Sequence, residues 1–207
     1  MTRRTVVSLV AIAVTASVVG VLVLHGRQPR VGNDDPIHSN SIVMLGDSIT
    51  EQADWSSLVD VSVVNRGFSG YTTAQLVPVA REVAAAGPRI VFVLTGTNDI
   101  RDGQPPSWTV RHLGAILSAL ATQSPTTRVV VQSVLPRSDA PAAVDAVNAE
   151  IARLADERDV EFLDLHAPFD DGAGGLRPAD TTDGIHLSPV AYTRWAELVR
   201  RTVEHPE

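Results

Sequence analysis

From Ser41 onward the chain repeats one rhythm, and that rhythm constrains its fold more than any other feature. Short runs of Val, Ile and Leu stand at Ser41–Leu45, Val61–Val64, Arg89–Leu94, Arg128–Val134 and Val160–Leu163. They are almost continuous in apolar residues, as strands covered on both faces are. Between them lie stretches with helical spacing. Thr72–Ala85 stops at Gly87-Pro88, a helix-ending pair. Ser107–Thr122 lines up Val110, Leu113, Leu117 and Leu120, and Ala140–Asp159 lines up Val144, Val147, Ile151 and Leu154. A last helix begins at Ser188-Pro189, a hydroxyl N-cap followed by proline at the first helical position. Strands alternating with helices call for a parallel sheet with right-handed crossovers and helices on both faces. The expected fold class is α/β, a three-layer α/β/α sandwich around about five parallel strands.

Ahead of this domain the composition changes. Thr5 to Leu24 is a 20-residue run without a charge, preceded by Arg3 and Arg4, and about 20 apolar residues in a helix cross a bilayer core. The competing reading is a cleaved signal peptide, which needs a small-residue cleavage site. His25-Gly26-Arg27 follows the run instead, which favours an uncleaved anchor at 1–24. Arg3 and Arg4 favour a cytoplasmic N-terminus, although Arg27 and Arg30 weaken that bias. The expectation is an extracytoplasmic domain, with secretion after cleavage as the alternative. Residues 25–40, with Gly, Pro, Asn and Asp and no apolar period, read as a tether. Residues 41–207 have the length of one domain.

Composition removes several chemistries. All 17 cations are Arg, and there is no Cys. Without Lys there is no Schiff-base amine and no phosphate-loop lysine. Without Cys there is no thiolate nucleophile, disulfide or cysteine metal site. A net charge of -7 argues against a nucleic-acid partner, which needs a basic face.

In open parallel sheets ligands bind beyond the carboxyl ends of the strands. The polar, glycine-rich segments lie at that edge. Gly46-Asp47-Ser48-Ile49-Thr50 follows the first run, Asn65-Arg66-Gly67-Phe68-Ser69-Gly70 the second, and Thr95-Gly96-Thr97-Asn98-Asp99 the third. Asp183-Gly184-Ile185-His186 stands just before the final helix. Acyl transfer by serine needs a nucleophile, a base, a group that orients the base, and oxyanion donors. Each residue has a plainer explanation: Ser48 as an N-cap, His186 as a solvated loop residue, Asn98 as a turn former, Gly70 as turn punctuation. Asp183, three residues before His186, can accept from the imidazole Nδ1–H and leave Nε2 for the serine.

Taken together, these blocks resemble the SGNH (GDSL-like) hydrolase family. GDSIT carries Ser48, and NRGFSG places the family's oxyanion glycine on Gly70 and not Gly67. GTND carries Asn98, and DGIHLS carries Asp183 and His186. The likeness runs from Ile42 to about Arg200. It implies a flavodoxin-like fold and ester hydrolysis with no metal and no cofactor. Ser48 would be the nucleophile, His186 the base and Asp183 its orienting partner. The Ser48 and Gly70 N–H groups and the Asn98 amide would hold the oxyanion. The partners implied are an acyl-ester substrate, such as an acetylated glycan or a lipid, and the membrane through the N-terminal run. Acyl transfer to an alcohol, or an inactive glycan-binding module, are the alternatives.

Other residues carry competing readings. Asp164 and His166 form a second Asp/His pair after the fifth run. Asp47 and Asp99 are expected to brace their turns. Trp55, Phe68 and Tyr71 can wall a pocket or pack in the core. The loop Asp170–Gly175 invites a calcium reading but lacks the spaced carboxylates and closing Glu of such a site.

Overall fold

The structure, a computed structural model, describes residues 35–59 and 62–205. The apolar run Thr5–Leu24 and Val61 lie outside them. Among the described residues no helix is long and apolar enough to cross a membrane.

Five parallel strands form the sheet: β1 (Ile42–Gly46), β2 (Val63–Gly67), β3 (Ile90–Leu94), β4 (Arg128–Gln132) and β5 (Glu161–Leu163), in the order β2-β1-β3-β4-β5. Helices α1 (Ser48–Glu51) and α2 (Trp55–Leu58) link β1 to β2, and α3 (Thr73–Ala86) links β2 to β3. Helices α4 (Thr97–Arg101) and α5 (Pro106–Gln123) follow β3, α6 (Pro141–Glu157) follows β4, and α7 (His166–Phe169) and α8 (Pro189–Glu204) follow β5. The expected three-layer α/β/α sandwich is the fold observed.

Alternation along the strands builds two cores. Ile42, Met44, Ile90, Phe92 and Val130 face one way, against Trp55, Tyr192, Trp195 and Val199. Val43, Leu45, Val91, Val93 and Val131 face the other, against Leu76, Leu113, Ile116, Val147 and Ile151 of α3, α5 and α6. Both faces are covered, so the strands can be apolar throughout. The end signals read from sequence hold as well. Gly87 closes α3 in the left-handed region at φ 63°, and the Ser188 hydroxyl accepts from the Ala191 N–H to start α8.

β2 differs from its expected span. It begins at Val63 and runs through Asn65, Arg66 and Gly67, which pair with Met44, Leu45 and Gly46. A polar Asn tolerates that place because its side chain is fully bonded within the protein, and Arg66 lies on an edge strand. β4 ends at Gln132, two residues early, because the Ser133 hydroxyl turns back to accept from the N–H groups of Leu165 and His166.

The strand order reverses between the parallel neighbours β1 and β3: from this junction the chain adds β2 on one side and β4 and β5 on the other. The crevice beyond their carboxyl ends is the expected ligand position. Ser48 and Asn98 both lie there, each at the start of a short helix.

Candidate active site

Ser48 is the first residue of α1. Asp47 caps that helix, its Oδ1 accepting from the Ile49 N–H at 3.0 Å. The turn holds Ser48 with its own N–H outside the helical ladder, as for any first-turn residue. Ser48 Oγ lies 3.0 Å from His186 Nε2, and His186 Nδ1 lies 2.7 Å from Asp183 Oδ2. A carboxylate only accepts, so Nδ1 carries the proton and Nε2 is left to accept from the serine hydroxyl.

The loop before α8 is built to hold this pair. Asp183 Oδ1 accepts from the N–H groups of Ile185 and His186, at 3.0 and 2.8 Å. The Thr181 hydroxyl donates to the His186 carbonyl and accepts from the Gly184 N–H. Gly184 has φ 87°, the left-handed turn that folds Asp183 back on His186. The imidazole bond, then the backbone bonds from His186 and Ile185, hold the Asp183 carboxyl down at about 2. Burial pushes Asp47 up to about 6, against the Ile49 bond and the field of His186.

Gly70 turns the chain at φ 79°, and a Cβ there would meet no atom within 4 Å. Asn98 is buried on α4, with Nδ2 donating to the Tyr71 carbonyl at 2.9 Å and Oδ1 accepting from Arg101 Nη1 at 2.6 Å. Asp99, expected to brace its own turn, instead holds the start of α3. Its Oδ2 accepts from the Thr73 N–H and hydroxyl at 2.9 and 2.8 Å. Ser48, His186 and Asp183 thus join directly, while Gly70 and Asn98 come to the same sheet edge through the turn at Tyr71.

Three residues were not singled out by sequence reasoning. Asn65 is 3% exposed. It shares its Nδ2 protons among the carbonyls of Thr50, Glu51 and Ala53, and its Oδ1 accepts from the Gly67 N–H. It ties β2 to the segment that carries Ser48. Arg137, also buried, donates to the Thr97 carbonyl at 2.7 Å and pairs with Asp139, pinning the start of α4. The Tyr192 hydroxyl donates to the Ile49 carbonyl at 2.7 Å. Only the polar character of Asn65 within its block hinted at any of these. The other two bonds join distant stretches of chain.

The competing residues separate clearly. Asp164 Oδ1 accepts from the Ser133 hydroxyl and the His166 backbone N–H, so this carboxylate is engaged with the turn. Trp55 is core, edge-on to Trp195 at 4.7 Å and bonded to the Thr50 carbonyl. Phe68 and Tyr71 stack on each other at 5.0 Å, half-buried against the core on the α3, α5 and α6 side of the sheet. In the Asp170–Gly175 loop, Asp170 and Asp171 accept from the N–H groups of Gly172, Ala173, Gly174 and Gly175. A cleft of about 790 Å³ opens at the other edge of the sheet, lined by Ser124, Thr127, Asp159 and Val160. None of the residues around Ser48 reaches it.

The sequence model of the GDSL-like lipase/acylhydrolase family matches residues 44–194, which include Ser48, Gly70, Asn98, Asp183 and His186. The chain belongs to this family. It is a serine ester hydrolase. Among relatives of this GDSL-like hydrolase is the platelet-activating factor acetylhydrolase IB subunit alpha2 of Gallus gallus. It is 26% identical over 165 residues, 74% of this chain and 71% of the relative. The alpha1 subunit of Homo sapiens is 29% identical over 164 residues, 73% and 70% of the two chains. Solved structures share the fold. A GDSL-like lipase from Bacteroides thetaiotaomicron superposes with a TM-score of 0.72 at 24% identity, covering 80% of this chain and 88% of its own. A variant of an acetyl-xylooligosaccharide esterase from Geobacillus stearmophilus gives 0.67 at 19%, covering 85% and 97%.

Proposed function

We propose that this GDSL-like hydrolase removes small acyl groups, acetyl above all, from a carbohydrate or lipid alcohol through an acyl-enzyme on Ser48. The observation that carries the reading is the unbroken run of contacts from Ser48 Oγ to His186 Nε2 and from His186 Nδ1 to Asp183 Oδ2. Ser48 Oγ attacks the acyl carbonyl as its proton passes to Nε2, and Asp183 stabilises the imidazolium and keeps the ring oriented. His186 then returns the proton to the leaving alcohol. Water, deprotonated by the same nitrogen, cleaves the acyl-enzyme. The N–H groups of Ser48 and Gly70 and the Asn98 amide hold the oxyanion in both steps.

Two considerations support an acetyl ester of a bulky alcohol. The relatives named above include acetylhydrolases and an acetyl-xylooligosaccharide esterase. The open ground beside Gly70 gives an ester attached to a bulky alcohol room to approach. The same proposal places the domain outside the membrane, held by Thr5–Leu24, where envelope glycans and lipids are at hand.

The test is a panel of short-acyl, long-acyl and acetylated-sugar esters. Acetyl esters are expected to turn over fastest. Ser48→Ala is expected to lower kcat on the order of 10⁶-fold and to abolish labelling by a fluorophosphonate probe. Asn98→Ala is expected to cost about 10²–10³. Wild-type rates in Ser48→Ala would remove the acyl-enzyme, and a preference for long acyl chains would remove the substrate class. Fractionation of cells making the full chain tests the anchor, which predicts the enzyme in the membrane fraction until Thr5–Leu24 is replaced.

A further inference from the structure

The five-residue helix α4 carries a clamp outside the Ser48–His186–Asp183 contacts. Asn98 Nδ2 donates to the Tyr71 carbonyl at 2.9 Å, and Asn98 Oδ1 accepts from Arg101 Nη1 at 2.6 Å. A carbonyl can only accept and a guanidinium can only donate. Rotating the amide by half a turn would set its nitrogen against the guanidinium and its oxygen against the carbonyl. Both bonds would be lost and replaced by repulsion, so the amide has one orientation. Nδ2 spends one proton on Tyr71 and keeps the second. Asp102 steadies the guanidinium, accepting from Arg101 Nε at 2.8 Å. The Arg101 side chain is 49% exposed, so it reaches Asn98 from the solvent side and buries little of itself.

We propose that Arg101 is a positioning residue for ester hydrolysis: its guanidinium locks the Asn98 amide with the nitrogen free to donate, and by drawing electron density from Oδ1 it strengthens that donation to the oxyanion. The inference rests on the reading of Asn98 as an oxyanion donor. Negative charge on the substrate oxygen is largest in the transition state, so the clamp acts on kcat and leaves substrate binding nearly unchanged.

A double-mutant cycle on a short-acyl ester tests this. Arg101→Met keeps the length of the stem and removes the charged fork. It is expected to lower kcat about 10-fold with KM within about twofold. Arg101→Lys is expected to recover part of the loss, because an ammonium can make one bond to Oδ1 but no fork. In an Asn98→Ala background, Arg101→Met is expected to change nothing further, since its object is gone. Wild-type kcat in Arg101→Met overturns the proposal, and so does an equal loss with and without Asn98, which would place the guanidinium on the substrate. If Asn98→Ala itself keeps the wild-type rate, the oxyanion reading fails and Arg101 falls with it. A drop in Asn98→Ala beside an unaffected Arg101→Met sinks the clamp alone. Thermal melts of Arg101→Met and Arg101→Lys are expected to match the wild type, which separates positioning from folding.

Discussion

Asp47 stands one residue before Ser48 with no exposed surface, and its Oδ2 finds no hydrogen-bond partner. Half of the carboxyl caps α1, and the other half sits in protein that returns nothing for the lost water. Burial therefore pushes its pKa from 3.8 to about 6. The folded state holds this proton to higher pH than the unfolded chain does. The associated stability is complete below 3.8 and is lost as pH rises through about 6, by about 3 kcal/mol in all. Asp47→Asn keeps an oxygen for the Ile49 N–H and cannot ionise. Its stability relative to wild type is expected to be about 3 kcal/mol better at pH 7.5 than at pH 3.5, read from urea unfolding at both. The same difference at both pH values would refute the assignment. Asp183 carries the opposite sign. Its carboxyl, held at about 2, adds stability above pH 3.8 that is lost as pH falls toward 2.

At the scale of elements, the junction of β2 with α1 decides where Ser48 stands. Gly67 closes β2 against the backbone of α1, and a Cβ there would fall on the nitrogen and Cα of Glu51, inside any normal contact distance. Backbone on both sides cannot yield, so Gly67→Ala must push α1 away and carry Ser48 with it. The expected result is a loss of about 1–3 kcal/mol in unfolding free energy, with kcat down about 10-fold or more. A variant that melts and turns over like wild type would show that the helix has room. Gly70→Ala meets no neighbour and faces only the strain of φ 79°, about 1–2 kcal/mol. The two glycines of one sequence block thus serve different ends. The spacing of NRGFSG left both inside one loop, because three polar and glycine residues in a row look like the end of a strand. What keeps Asn65 in β2 is its set of partners at Thr50, Glu51 and Ala53, and a strand pattern read alone has no view of partners on another element.

At the scale of the whole molecule, the sheet divides two cores, and the one shared by α2 and α8 is anchored by aromatic rings. Trp195 is fully buried, edge-on to Trp55, and its indole N–H donates to Gln132 Oε1 at 2.7 Å. Trp195→Ala would open a cavity beneath the segment carrying Ser48 and leave the Gln132 amide without that bond. The expected cost is about 3–5 kcal/mol, measured as a lower urea midpoint at an unchanged slope. An effect below about 1 kcal/mol would mean that the α8 face contributes little to the fold.

The order of strands and helices, the parallel sheet and the edge that bears Ser48, Gly70, Asn98, Asp183 and His186 all follow from the sequence by itself. Each depends on local period and on what stands next to what along the chain. Asp183 and His186 were legible for the same reason: their bond spans three residues and a glycine turn. The tertiary structure alone decided that Ser48 Oγ comes within 3.0 Å of His186 Nε2 across 138 positions, that Asn65 rather than a loop backbone holds α1, and that Arg137 and Tyr192 brace the site from the segment after β4 and from α8. It also decided the single orientation of the Asn98 amide. These outcomes depend on hydrogen-bond partners brought together by packing, and a partner's distance in space is not encoded in its distance along the chain.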